Sequence, residues 1–169
     1  MCHNRVMNVI YLIIGLFCLL FLYYLRNGAI YVPLNQRTLA VLLELVPPRP
    51  GLRVADLGSG DGRIVAAFAR SKARAVGFEN NPLLYLWSIW RIRREGLQQH
   101  ARIRWVSFWG QDLSGFDVVV VFGMTHIMDR LARKLRAELK PGTRVVSCLF
   151  QFKDLDLSAA RNGVWVYRI

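Results

Sequence analysis

Residues Val54–Arg63 read VADLGSGDGR, with three glycines and two acids in ten positions. An apolar run leads into this stretch, and RIVAAFAR, which suits a helix, continues out of it. Glycine loses more backbone freedom on folding than any other residue. A strand-to-helix junction built from it makes physical sense where a ligand must come close to the main chain. Working outward, strands are expected at residues 53–57, 74–78, 103–109, 117–122, 143–152 and 163–169, and helices at 36–46, 63–70, 82–95 and 127–139. Pro47-Pro48 and Pro141-Gly142 stop two of the helices. Asn81, Pro82 and Gly96 supply a cap, a first position and an end to a third. The run VVVVF is apolar throughout rather than alternating, which marks a strand covered on both faces. The expected fold is therefore α/β, a doubly wound Rossmann-like parallel sheet. Residues 153–162 leave little room for a full helix, so a C-terminally trimmed sheet with a small cap is expected.

In such a sheet, ligands bind outside the carboxyl ends of the strands. A dinucleotide site wants G-x-G-x-x-G, with a pyrophosphate at the helix N-terminus. Here the spacing is G-S-G-D-G, bracketed by Asp56 and Asp61, and two carboxylates repel a pyrophosphate. They suit a ligand that carries an ammonium and a sulfonium, which is the charge pattern of S-adenosyl-L-methionine (SAM). The next strand ends in Glu79, a carboxylate placed to accept hydrogen bonds from ribose hydroxyls.

The chain has 169 residues, 54% of them apolar, and a formal net charge of +12. Residues 6–25 form 20 consecutive uncharged positions, which as a helix reach roughly 30 Å, the thickness of a hydrocarbon core. Arg5 and Arg26 flank the run, and Tyr23 and Tyr24 sit where an interfacial aromatic belt would be. A retained single-pass transmembrane anchor is favoured over a signal peptide, whose apolar region is shorter and whose cleavage site is made of small residues. The expected organisation is an anchor at 1–26, a linker at 27–35 and a catalytic domain at 36–169. Arg26, Arg37, Arg49 and Arg53 follow the run, which places the domain on the cytoplasmic side. The basic charge draws a tethered domain toward an anionic lipid bilayer. Nucleic acid is the less favoured partner, because no RNA-binding module is recognisable. The three cysteines form no C-x-x-C pair, so no metal site is expected.

VADLGSGDGR followed by AVGFENNP resembles the first two cofactor motifs of class I SAM-dependent methyltransferases. YVPLN, LGSGDGRIV, VGFENNPLLYLWS, QDLSGFDVVVVFG and LKPGTRVVS together resemble a narrower group. These are the small membrane-anchored protein-lysine methyltransferases of mitochondria and their bacterial relatives, whose mitochondrial members modify the ATP synthase c subunit or the adenine nucleotide translocase. The resemblance covers roughly residues 28–152. It implies SAM as cofactor and a lysine of a membrane protein as acceptor. It also implies a bacterial inner membrane, or a mitochondrial one in a eukaryote. Asp56, Gly58, Ser59, Gly60, Asp61 and Gly62 match the cofactor loop, Glu79 the ribose acid, and Asn80 the residue after it. The family's adenine acid is replaced by Ser107, with Phe108 or Trp109 available for stacking.

No catalytic base is evident. FGMTH, residues 122–126, lacks the N-P-P-Y or D-P-P-Y pattern that holds a planar amide or base amine. His126 in that segment and Tyr31 in the linker are the candidates for orienting an acceptor or closing over it. A small-molecule or lipid acceptor, or a degenerate SAM-binding module, are the alternatives. Leu83, Leu86, Trp87 and Trp90 recur at helical spacing and are expected to face the core. Arg91, Arg93, Arg94, Arg130, Arg133, Lys134 and Arg136 are expected on solvated helix faces.

Overall fold

The computed structural model describes residues 7–8, 10–19, 33–122 and 125–169. It divides into two compact units, Met1–Val32 and Pro33–Ile169. In the first, residues 10–19 are helical, uncharged and exposed along their length. Residues 20–32, including the end of the expected span and Tyr31, lie outside the described residues. Among the described residues, no helix is long and apolar enough to cross a membrane.

The second unit is a seven-stranded sheet in the order β3-β2-β1-β4-β5-β7-β6. The strands are β1 (Arg53–Leu57), β2 (Arg74–Glu79), β3 (Ala101–Trp105), β4 (Val118–Val121), β5 (Arg144–Cys148), β6 (Asp156–Arg161) and β7 (Val164–Arg168). The first five run parallel, and β7 enters antiparallel between β5 and β6. Among the described residues four α-helices accompany them: α1 (Gln36–Leu45), α2 (Arg63–Arg70), α3 (Pro82–Arg94) and α4 (Thr125–Glu138). The doubly wound α/β expectation holds, and β4 is buried along its whole length, as an all-apolar central strand should be.

The caps follow from sequence. Asn35 Oδ1 accepts from the Thr38 amide at 2.7 Å and opens α1. Asn81 Oδ1 accepts from the amides of Leu83 and Leu84 at 2.9 and 3.3 Å and opens α3. On one sheet face Leu42, Val46, Val65, Phe68 and Ile92 pack over Val54, Val118 and Val120. On the other, Met128, Leu131 and Leu135 of α4 pack with Leu57, Phe78 and Tyr167. Leu34, placed by sequence in the linker, is buried in the first of these cores.

Two expectations are corrected. The sheet is not trimmed in strand number, because residues 156–161 form β6, which pairs with β7 at the sheet edge. The strand is exposed at nearly every position and carries no apolar alternation. Its signal was the turn: Asn162 and Gly163 have φ of 47° and 78°, both in the left-handed region that a two-residue hairpin turn demands. What is shortened is the connection from β5 to β6, which carries no helix. Second, residues 106–109 do not continue β3; the chain leaves the sheet after Trp105 and makes a 3-10 turn at Phe108–Gly110.

Gly62 caps α2 with φ 75°, and a Cβ there would stand 2.9 Å from Ser88 Cβ of α3. Gly51 has a similar φ of 77° and open space around it. Gly51→Ala should cost about 1 kcal/mol from backbone strain alone. Gly62→Ala should cost roughly 2–4 kcal/mol, since the clash adds to the strain. Urea midpoints of the two variants measure the difference.

Candidate cofactor-binding site

The site forms where β1 and β2 end side by side, Leu57 opposite Phe78. Main-chain amides of Gly58 and Ser59 both donate to the Phe78 carbonyl, at 2.9 and 3.1 Å, and fold the glycine loop back over β2. Gly58, Gly60 and Gly62 all have positive φ, of 79°, 55° and 75°. Gly58 has nothing within 4 Å of a would-be Cβ, so the main chain there faces open space. Gly62 is different, because it is held against Ser88 and serves the packing of α2 on α3.

Three carboxylates sit around this loop, at 2–5% exposure, and each has different partners. Glu79 accepts from the Gly60 amide through Oε2 and from the Asn81 amide through Oε1, both at 2.8 Å. Each oxygen keeps a lone pair for a further donor. Asp61 receives two guanidinium groups, Arg63 at 2.8 Å and Arg91 at 2.7 Å. Burial alone would raise the Asp61 carboxyl, but the Arg63 hydrogen bonds and the Arg91 and Arg63 charges hold it below the usual range. Arg63 also donates to the Leu34 carbonyl, and Arg91 to the Asp61 carbonyl at 2.9 Å. Asp61 thus ties loop, α2, α3 and the segment before α1 into one knot.

Asp56 has no such partner. Its Oδ2 is buried and makes no hydrogen bond, and the buried Ser59 Oγ makes none either. Burial first, then the charges of Glu79 and Asp61, push the Asp56 carboxyl up from 3.8 to about 8. Burial, then Asp56, pushes the Cys148 thiol up to about 12, which removes it as a nucleophile near neutral pH.

The loop, Asp56 and Glu79 are brought together as the sequence suggests, and the amide of Asn81, expected only as a cap, joins them through Glu79. Asn80 is exposed, and its carbonyl accepts from Trp105 Nε1 at 3.1 Å. Ser107 is exposed and accepts weakly from the Trp109 amide at 3.4 Å. Phe108 and Trp109 are half-buried, 4.8 Å apart between ring centroids, and the Arg130 guanidinium lies 4.1 Å over Trp109. His126 lies in the first turn of α4, its side chain outside the described residues. Among the described residues, no group of His, Cys, Asp or Glu could hold a metal ion.

Sequence reading missed two contributors to the site, Arg91 and Gly77, and one inward-turned lysine away from it, Lys134. Arg91 is not a solvated residue but the second partner of Asp61. Lys134 is likewise mostly buried, donating to Glu138 and to the Gln111 carbonyl. Gly77, inside β2, leaves room for Ser59: a Cβ there would stand 2.5 Å from Ser59 Oγ. A lone glycine in a strand is the signal that a neighbour approaches closely.

Three acids around a loop whose Gly58, Ser59 and Gly60 amides already donate inward disfavour a polyphosphate and fit a cationic nucleoside bearing a diol. The sheet order and this loop define a Rossmann-like methyltransferase fold. The family described as "ANTKMT methyltransferase domain" matches residues 56–159, and the chain belongs to it. The lysine N-methyltransferase of Xenopus laevis named for the ATP synthase c subunit is 38% identical over 141 residues, covering 81% of this chain and 62% of that protein. The chain thus spans less than two thirds of that relative's length. A "Protein-lysine N-methyltransferase" of Saccharolobus islandicus is 36% identical over 125 residues, 73% of this chain and 78% of that one. The crystal structure of an RNA methyltransferase from Salinibacter ruber with S-adenosyl-L-homocysteine superposes with a TM-score of 0.73. It is 32% identical and covers 81% of this chain and 92% of that one.

The Asp56 carboxyl gives a pH signature. Its folded value lies above its unfolded value, so between about pH 4 and 8 the folded state holds a proton that the unfolded state has released. Stability contributed by this group is therefore complete at the acid end and declines as pH rises through that window. Asp56→Asn should flatten the decline and be more stable than the parent at pH 8. Urea unfolding at several pH values checks this.

Proposed function

We propose that this chain is a SAM-dependent methyltransferase that methylates a lysine side chain of a membrane protein. The observation that carries the cofactor is the unpaired, buried Asp56 carboxylate at the root of an open glycine loop, beside Glu79 with acceptor capacity to spare. SAM supplies a methyl group already activated on a sulfonium. Glu79 is the candidate for holding the ribose diol, Asp56 for balancing the ammonium, and the Gly58–Gly60 main chain for contact along the ligand. Ser107 and Phe108 are the candidates for the adenine edge and face. The names of the relatives support a lysine acceptor, as does the lack of an amide-holding pattern after β4.

The membrane half of the proposal rests on residues 6–25. Residues 10–19 are helical and apolar, with Leu12 and Phe17 exposed at 73% and 69%. An exposed stripe of that kind is suited to lipid, and we place it as part of a single-pass anchor with the catalytic unit on the cytoplasmic side. Tyr31 and His126 remain the candidates for meeting the acceptor.

Calorimetric titration of the full chain with SAM should show binding that Glu79→Ala weakens by about 1–3 kcal/mol. Binding near neutral pH should release protons to the buffer, because a bound cation favours the ionised form of Asp56. Asp56→Asn should abolish that release; unchanged affinity in Glu79→Ala and release persisting in Asp56→Asn would refute the site. With tritiated SAM and membranes, label is expected in protein and, on mass spectrometry, on lysine. Label in the lipid extract or in RNA would overturn the acceptor while leaving the cofactor site intact.

A further inference from the structure

The face expected to pack in the core is the one the fold leaves outside. Leu83, Leu86, Trp87 and Trp90 are 71%, 60%, 53% and 54% exposed. At positions i, i+3, i+4 and i+7 they form one stripe along α3. The opposite face of the helix, with Ser88, Arg91 and Ile92, is the one held against the sheet and loop. Trp105, at the end of the adjoining edge strand, is 59% exposed and stacks on Tyr85 of α3 at 6.2 Å. A patch of two leucines and three tryptophans is more than the scattered apolar surface of an ordinary soluble domain.

The unpaired charges around the stripe are of one sign, since Glu95 at the end of the helix is engaged by Arg70 and Arg91. Arg93 and Arg94 end the helix, and the Arg94 guanidinium lies 5.1 Å over the Trp90 ring. Arg102 and Arg104 stand exposed on β3, the edge strand beside the helix, with the Arg104 guanidinium 5.7 Å over the Phe78 ring on the other sheet face. With Arg93 they line a groove between α3 and that strand, walled by Ile89, Ile92 and Ile103. None of these four arginines has an ion-pair partner among the described residues. A second copy of the chain would bring like charges together, so the face does not suit self-association. A stripe of Leu and Trp rimmed by unpaired Arg has the composition of a helix lying in a lipid interface. The arginine stems can cover apolar surface while the guanidinium groups reach phosphates.

We propose that the outward face of α3, with Trp105, docks into the interface of an anionic bilayer as a membrane contact separate from the N-terminal run. Asn81, which caps α3, follows Glu79 by two residues and donates its amide to that carboxylate. Docking this helix therefore sets the cofactor loop next to the lipid surface, where a lysine at a membrane protein's interface would be presented. The inference deepens the membrane half of the reading above and rests on it.

All five tryptophans lie beyond residue 86, so tryptophan emission reports only on the second unit. The test uses the full chain with vesicles of phosphatidylcholine, or of phosphatidylcholine and phosphatidylglycerol, whose acyl chains carry bromine as a quencher. The expected result is strong quenching on the anionic vesicles, weaker on the neutral ones and reduced by high salt. Trp87→Phe/Trp90→Phe should lower the quenchable emission by roughly twofold, and Leu86→Asp should weaken vesicle quenching at an unchanged urea midpoint. Absence of quenching on anionic vesicles overturns the proposal, as does quenching that the double variant leaves unaltered. Quenching that appears only when a membrane protein is present assigns the face to a protein and also overturns it. Flotation with the vesicles reports separately on the N-terminal run, so failure of the anchor and failure of α3 are distinguishable.

Discussion

Asp61 is the residue on which the arrangement depends. A carboxylate this deeply buried is tolerated only if its charge is compensated, and here two guanidinium groups do so. One comes from the first residue of α2, the other from the third turn of α3. Through Arg63 the same knot reaches the Leu34 carbonyl ahead of α1. Removing one partner of a buried ion pair typically costs about 3–5 kcal/mol, much of it the uncompensated charge that is left. The glycine loop is thus flexible in composition but fixed in place. Its open position, Gly58, is free to meet a ligand because Asp61 and Glu79 hold the ends.

The same knot decides the orientation of α3. Once Arg91 must reach Asp61, Ser88 must lie under Gly62 and Ile92 under the sheet. A helix turns 100° per residue, so Leu83, Leu86, Trp87 and Trp90 then point away. The sequence offers two plausible stripes on this helix, and the more hydrophobic one is on the outside. Hydrophobic periodicity identifies a face, not which side of the helix the core is on. A small serine at full burial and an arginine drawn inward by a distant aspartate are invisible to it.

The cofactor loop was legible for the opposite reason. Its chemistry is local: strand, glycines at fixed offsets, acids bracketing them, and a second strand ending in Glu79. The two carboxylates that look alike in sequence were not separable there. Asp61 is neutralised by arginines 2 and 30 residues away along the chain, whereas Asp56 stays unpaired and its carboxyl is pushed up to about 8. β7 was legible, but its hairpin partner β6 was not, because edge strands need no apolar alternation, although Asn162-Gly163 marked the turn.

Sequence alone determined the α/β alternation, the cap at Asn81, the glycine loop and its acid partner on β2, and the family to which the chain belongs. All of these depend on residues near one another in the chain or on backbone rules with fixed periods. Tertiary structure alone decided which acid is paired and which is not, that Gly62 and Gly77 serve close packing, and that the tryptophans of α3 face outward. Those outcomes depend on which distant groups meet, because charge compensation and steric fit are properties of neighbours in space.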